Sequence, residues 1–455
     1  MNTLTTNRFS ELLHKYNVPA PRYTSYPTVP YWDNGTFSAG KWKQKVKEAY
    51  SRNQEISVYI HLPYCESLCT YCGCNTRITR NHAVETPYIA ALLKEWVLYT
   101  EILGEKPTIG ELHLGGGTPT FFQPKNLEHL IKRIFESANA SPEIEMSFEV
   151  HPNNTSYEHL KILRDVGFGR ISIGVQDFDP KILKVINRKQ TAKQVEQCTT
   201  WARGLGYTSV NYDFVYGLPF QKEENIIENI NQVKALKPER IAFYSYAHVP
   251  WVKPGQRAYS EADLPSGNKK RALYELGRDM LEGCGYQEIG MDHFALPTDD
   301  LYKAKELETL HRNFMGYTPK HTELMIGLGV SSISDAWQGF AQNEKKVEDY
   351  LDRITNEELA VSKGHVLSKE DERVRVHILN IMCHLKTEWQ LEDQPYMHNI
   401  LERLSPLVAD SLVEVNQKGL KVTKEGQPFL RNISMALDEQ LWARQPETVD
   451  RKSVV

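Results

Sequence analysis

The sequence predicts an α/β protein: a partial, TIM-like (β/α)6 barrel with an N-terminal arm and a small, mainly helical C-terminal domain. Two observations predict the barrel. Short apolar runs rich in β-branched residues alternate with longer segments of helical periodicity, as a parallel sheet with helical crossovers does. Four cysteines crowd together directly after the first of those runs, where such barrels place their chemistry.

The elements follow in chain order. Residues 1–54 read as an arm. Within it PAPRYTSYPTVPYW holds four prolines, which fix φ and remove backbone donors, so an extended segment docked over the barrel mouth is expected there instead of a helix. Strands are expected at ISVYIHL (56–62), GELHLG (110–115), IEMSFEV (144–150), RISIGV (170–175), TSVNYDFVY (208–216) and RIAFYSYA (240–247). Between them TPYIAALLKEWVLYTEIL, NLEHLIKRIFESA, SYEHLKILRDVG, AKQVEQCTTWARGLG and EENIIENINQVKAL place apolar residues at helical spacing, and three stop at or near Gly, a common helix terminator. The barrel is thus set at 55–255. Beyond it the strand rhythm fades, and 256–364 reads as a barrel extension and substrate-site segment. From 365 to 455 helical segments such as DERVRVHILNIMCHLKTEW precede LVEV and LKVT, which flank NQKG and predict a hairpin wing. No short repeat or low-complexity tract interrupts this plan.

Composition bounds the function. The chain has 455 residues, 40% of them hydrophobic, enough for a large core. Lys plus Arg number 54 against 58 Asp plus Glu, a formal charge of −4, so no global basic field points to nucleic acid or an anionic membrane. MNTLTTNRFSELLHKYN has no apolar run of signal-peptide type, and nowhere do about 18 apolar residues follow one another. A cytoplasmic protein without membrane insertion is expected, monomeric by default. Seven cysteines, four of them clustered, suit a reducing compartment and a metal better than a disulfide framework.

Those four are Cys65, Cys69, Cys72 and Cys74, in YIHLPYCESLCTYCGCN (59–75). Four thiolates suit zinc or an iron–sulfur cluster. Zinc ribbons usually split their ligands into two separated CxxC pairs, whereas here spacers of three, two and one residues follow one another. A fully ligated [4Fe–4S] site is conceivable, but the Cys-Gly-Cys step gives Cys74 little freedom to share a cubane with Cys72. Cys65, Cys69 and Cys72 alone would leave one iron open to chelate a cofactor. LGGGTPT (114–120) follows the second strand, where glycines permit a tight turn and close approach of backbone to a ligand, as they would in any plain turn. Glu149 ends the third strand and could bond a ribose or an amino group.

The Cys65-x3-Cys69-x2-Cys72 spacing, with Tyr71 before the third cysteine, resembles the cluster motif of the radical S-adenosylmethionine (SAM) enzymes. Further motifs narrow the resemblance: RYTSYPT (22–28), CGCN (72–75), HLGGGTPT (113–120), GVQDF (174–178), NR (187–188), YDFVYGLP (212–219), YAHVP (246–250), GMDHFA (290–295) and LHRNFMGYT (310–318). Together they are similar to the oxygen-independent coproporphyrinogen III oxidase family, HemN type, from about residue 20 to near the C-terminus.

That resemblance implies the rest. It implies a [4Fe–4S] cluster on Cys65, Cys69 and Cys72, and two molecules of SAM. It places Tyr59, Gly116, Glu149 and Ile333 on the SAM at the cluster, and Tyr71, Gly117, Thr118, Gln176, Arg188, Asp213 and Ala247 on the second. It counts Cys74 with Cys65, Cys69 and Cys72 among the catalytic residues without making it a cluster ligand. The implied reaction is oxidative decarboxylation of the ring A and B propionates of coproporphyrinogen III to vinyl groups, giving protoporphyrinogen IX, with an electron donor such as a flavodoxin or ferredoxin. The sequence departs from the family pattern at His151, where Asp is expected, and at Leu114, where Trp is expected. His151 puts the polar contacts behind Glu149 in question.

Four propionates call for local cations, and Arg22, Arg77, Arg80, His311 and Arg312 are the candidates. Cys198, Cys284 and Cys383 lie in or beside helical segments, where buried, inert thiols are expected. Two alternatives stay open on the residues: a haem-binding or haem-trafficking protein that keeps the barrel, and a methyltransferase-like relative that consumes haem.

Overall fold

A computed structural model describes residues 3–33, 35 and 37–444 and places a twelve-stranded sheet at the centre of the fold. Six strands, β1 Glu55–Leu62, β2 Thr108–Gly116, β3 Asn139–Val150, β4 Arg170–Gln176, β5 Ser209–Tyr216 and β6 Arg240–Ser245, lie side by side in chain order and pair in parallel. These are the six runs read from the sequence. Their residues are buried on both faces, iBBBiBBB along β1 (B buried, i half-buried) and iBBBBBB along β4, because crossover helices cover one side and inward side chains fill the other. β3 begins at Asn139, earlier than its apolar run, since the polar NASPE stretch is carried along by pairing of Asn139 and Ala140 with β2.

The crossovers are Glu85–Leu103, Pro124–Glu136, Tyr157–Asp165, Ala192–Gly204 and Glu223–Leu236. Gly104, left-handed at φ 78, ends the first of them. Ser156 and Thr191 start the third and fourth with capping boxes.

The sheet continues where the sequence rhythm was expected to fade. β7 Gln287–Gly290 and β8 His293–Ala295 extend it antiparallel beyond β6. On the opposite side β9 Met325–Leu328 adds a seventh parallel strand against β1, followed by antiparallel β10 Ile333–Asp335, β11 Gly339–Asn343 and β12 Val361–Val366. Strands of three to six residues are too short to show a period, and their register comes from the neighbour they pair with. The order runs β12-β11-β10-β9-β1-β2-β3-β4-β5-β6-β8-β7 with no pairing of its two ends, so the barrel is open.

The C-terminal region is helical, with Lys369–His384 and Met397–Ala409 as its long helices. The expected hairpin forms: Val415 pairs with Leu420, and Lys386–Glu388 adds a third strand. The arm is partly helical, at Thr3–Lys15 and Ala39–Arg52. Its proline-rich stretch is irregular apart from a short turn at Val29–Tyr31. There Tyr23 and Tyr26 are buried in the C-terminal core with Ile378, Leu404 and Leu420, and the Tyr23 hydroxyl donates to Asp438 at 2.9 Å. Cys198 and Cys383 are buried as expected; Cys284, at the end of helix Gly267–Gly283, is only half-buried. Among the described residues no helix is long and apolar enough to cross a membrane.

Candidate active site

The cysteine loop leaves β1 at Leu62 and is pinned at its base. Tyr64–Cys65 pairs with Arg77–Ile78, and Thr79 N–H donates to the Cys65 carbonyl at 2.9 Å. Within it Cys72 N–H donates to the Cys69 carbonyl at 3.1 Å, a tight turn that presents both thiols from one bend. Cys65, Cys69 and Cys72 are half-buried, Cys74 is exposed, and all seven cysteines are free thiols. Cys65 Sγ lies 3.2 Å from Thr118 Oγ1. Burial pushes its thiol up to about 12, and the nearby Cys72 and Cys69 add to that rise. Three sulfurs on one loop form a donor set that fits an iron–sulfur cluster, whose irons take thiolates. Among the described residues the thiols are not closed around a single ion.

The glycine turn rests on this loop. Gly117 N–H donates to Leu62 O at 2.8 Å and Thr118 N–H to Tyr64 O at 3.1 Å. A Cβ on Gly117 would stand 2.5 Å from the Pro63 carbonyl oxygen, and one on Gly116, at φ 117, would stand 2.9 Å from the His61 ring. Only glycine lets the turn lie this close. Beside it the Tyr59 ring stacks on His113 at 6.0 Å, and its hydroxyl meets His61 Nδ1 at 3.1 Å. Glu149 Oε1 is 3.6 Å from His113 Nε2, with its side chain 43% exposed. Ile333 approaches from the other side: Tyr59 pairs with Gly327, where a Cβ would meet the Ile333 carbonyl oxygen at 2.5 Å. The residues assigned to the first SAM therefore surround the end of β1.

A second group meets across β4 and β5. Arg188 Nη1 donates to the Tyr71 hydroxyl at 3.2 Å and to Cys69 Sγ at 3.6 Å. Its Nε donates to Gln190 Oε1 at 2.7 Å and its Nη2 to the Gly174 carbonyl. A Cβ on Gly174 would touch both Arg188 Nη2 and Gln176 Nε2, so these two side chains share one spot. Asp213 pairs in register with Gly174 and accepts from Ser172 Oγ and Asn211 Nδ2, each at 2.8 Å. Loss of hydration pushes its carboxyl up to about 6. Ala247 lies on the wall of a cavity. The His151 Nδ1 accepts from Asn153 N–H at 3.2 Å, and burial together with the Arg188 charge holds its ring neutral.

That cavity, about 1270 Å³, lies between the proline-rich arm, the ends of β5 and β6, and the C-terminal region. Arg22, Arg271, Arg278, Arg403, Arg431 and Lys424 line it, against Asp292, Glu282 and Glu288. Of the cations expected from sequence, Arg22 lines the cavity and donates to Asp292 at 2.6 Å. Arg312 is buried behind it and donates to the Arg22 carbonyl at 3.5 Å. Arg77 and Arg80 are exposed away from the cavity, and Arg77 is paired with Glu348 at 2.9 Å. His311 faces His321 at 4.3 Å, and burial and its cationic neighbours hold it neutral. These three are set aside as cavity cations. Arg271 and Arg431 were missed because they come from two distant helices with no motif around them.

Comparison with known proteins agrees with this geometry. The family model of the radical SAM superfamily matches residues 59–233. The oxygen-independent coproporphyrinogen III oxidase of Escherichia coli (strain K12) is 36% identical over 439 residues, 94% of this chain and 95% of the relative. That of Pseudomonas aeruginosa is 34% identical over 443 residues, 95% and 96% of the two chains. A solved structure described as coproporphyrinogen III oxidase (HemN) from Escherichia coli, a radical SAM enzyme, superposes with a TM-score of 0.87 at 34% identity, covering 93% of this chain and 99% of that one. Similarity of this extent reaches the cysteine loop, the sheet and the C-terminal region together, and the chain belongs to the oxygen-independent coproporphyrinogen III oxidase family of the radical SAM superfamily.

Proposed function

We propose that this chain decarboxylates the ring A and B propionates of coproporphyrinogen III to vinyl groups, giving protoporphyrinogen IX in haem biosynthesis. The observation that carries the reading is that a three-thiol loop and an arginine-lined cavity of about 1270 Å³ both lie at the C-terminal ends of strands of one parallel sheet. Ordinary small-ligand pockets hold about 300–1,000 Å³, and this larger space with several cations suits a macrocycle bearing four carboxylates. In each half-reaction a propionate side chain loses a hydrogen atom, carbon dioxide and one further electron, and the vinyl group remains.

A [4Fe–4S] cluster with SAM would supply a carbon radical able to take hydrogen from an unactivated C–H bond. Cys65, Cys69 and Cys72 would hold the cluster. Tyr59, Gly116, Glu149 and Ile333 would hold one SAM, with Glu149 accepting from its donors. Tyr71, Gly117, Thr118, Gln176, Arg188, Asp213 and Ala247 would hold a second. The arm over the cavity would exclude water from the reacting centre. Electrons would come from a small carrier such as a flavodoxin or ferredoxin, and the enzyme would work as a cytoplasmic monomer.

The test is an anaerobic assay of cluster-reconstituted protein with SAM, reductant and coproporphyrinogen III, measuring vinyl product and 5′-deoxyadenosine together. Formation of both, lost in Cys69→Ser, is expected. Deoxyadenosine without vinyl product would overturn the substrate assignment, and neither product would overturn the reaction.

A further inference from the structure

Among the described residues four deeply placed arginines meet a carboxylate, whereas Arg188, held by Cys69, Tyr71, Gln190 and the Gly174 carbonyl, and Arg312, behind the cavity, do not. Arg170 meets Glu145 at 2.5 Å, Arg240 meets Asp299 at 2.6 Å, Arg373 meets Asp393 at 2.7 Å and Arg375 meets Asp335 at 2.6 Å. Arg312 is only 5% exposed, yet among the described residues no carboxylate lies within 4.0 Å of its guanidinium. Its Nε and Nη1 have no hydrogen-bond partner. Its Nη2 makes the single long bond to the Arg22 carbonyl, 3.5 Å, and its charge lies 4.6 Å above the Tyr317 ring. A buried charge with open donors is costly unless an anion completes it.

The surroundings favour an anion. His293 lies close by, with its Nδ1 also unpartnered and its Nε2 3.4 Å from the Tyr244 hydroxyl. Burial and the charges of Arg312, Arg22 and Arg240 push this ring down to about 3, so it stays neutral and is free to present an N–H. In front, Arg22 lines the cavity and is held by Asp292 at 2.6 Å. Its side chain is 48% exposed, so this pair is weak and readily exchanged.

We propose that Arg312 is the inner half, and Arg22 the outer half, of a receptor for one carboxylate of the substrate. The incoming carboxylate replaces Asp292 on Arg22, draws that side chain aside and reaches Arg312, whose open Nη1, together with the Nη2 that makes only a 3.5 Å bond to the Arg22 carbonyl, offers it a planar two-point contact. Asp292 is the stand-in that keeps Arg22 paired until the ligand arrives. This deepens the proposed function, on which it rests, by naming where one propionate of the macrocycle is fixed.

The test compares full-length wild type, Arg312→Met and Arg312→Lys, using two probes: coproporphyrin III, the stable oxidised macrocycle with the same four propionates, and propionate ion alone. Coproporphyrin III binding, read by fluorescence, is expected to weaken at least tenfold in Arg312→Met. Arg312→Lys, which keeps the charge without the planar fork, is expected to weaken it less. Propionate should raise the melting temperature of wild type and leave that of Arg312→Met unmoved. Without ligand, Arg312→Met should melt at or above wild type, because an unpaired buried charge has gone; a structural arginine would give the reverse. Unchanged affinity for coproporphyrin III in both variants overturns the receptor. A wild type that binds both probes but makes no vinyl product would sink the decarboxylation reading and leave the receptor standing.

Discussion

The Arg188 guanidinium stands 3.6 Å from the Cys69 thiol, fixed there by Gln190, by the Gly174 carbonyl and by the Tyr71 hydroxyl. A positive charge this close to a proposed cluster ligand would stabilise added electron density there. Arg188→Met is therefore expected to keep its iron but to lower the midpoint potential of the reconstituted cluster, on the order of tens of millivolts. Deoxyadenosine formation should slow at least tenfold. An unchanged potential would show that the guanidinium serves only to hold the loop.

The glycine turn makes a steric prediction. Gly116→Ala forces a side chain into φ 117 and to within 2.9 Å of the His61 ring. Such strain costs about 1–3 kcal/mol. A lower melting temperature and weaker SAM binding by calorimetry are expected together. Wild-type values of both would mean that the turn relaxes freely.

Asp213 gives a pH dependence of determined sign. Its carboxyl is raised from 3.8 to about 6, chiefly by loss of hydration. The native state holds this proton more tightly than the unfolded chain, so the contribution of the group to stability is full below 3.8 and is lost as pH rises through about 6. As an acceptor it is strongest as an anion, above that value. SAM-dependent activity should therefore fall as pH drops through about 6. Asp213→Asn should lose that acid limb along with most of the activity, while melting at or above wild type at pH 8.

Cys74 is exposed, while the other three cysteines of the loop are half-buried. Cys74→Ala is expected to bind iron and sulfide in the wild-type ratio, whereas Cys65→Ser, Cys69→Ser and Cys72→Ser each lose most of the iron. Loss of iron from Cys74→Ala would make it a fourth ligand.

The parallel half of the fold was legible because its strands are apolar on both faces and its helices carry their own stop signals. RISIGV became β4, and TSVNYDFVY became β5 with one residue trimmed. Strands β7 to β12 were illegible for the opposite reason. HFA and ISD have no pattern of their own and exist through pairing. The cysteine loop and the glycine turn could be read because their residue types and spacing are local. The cavity could not, since Arg22, Arg271 and Arg431 are brought together only by tertiary packing. His311 and Arg312 show the limit within a single dipeptide: neighbours on a strand point to opposite faces, so one faces His321 and the other reaches back to Arg22.

The clasp between the arm and the C-terminal region also sets an order of events during synthesis. Tyr23 is sealed by Asp438, and Arg431 bonds the carbonyls of Ala20 and Pro21. More than 400 residues separate these partners. A ribosome adding about 5–20 residues per second therefore leaves the first aromatic residues of the chain without their partners for tens of seconds, while the parallel strands can already assemble. The cavity wall is then among the last parts of the molecule to form.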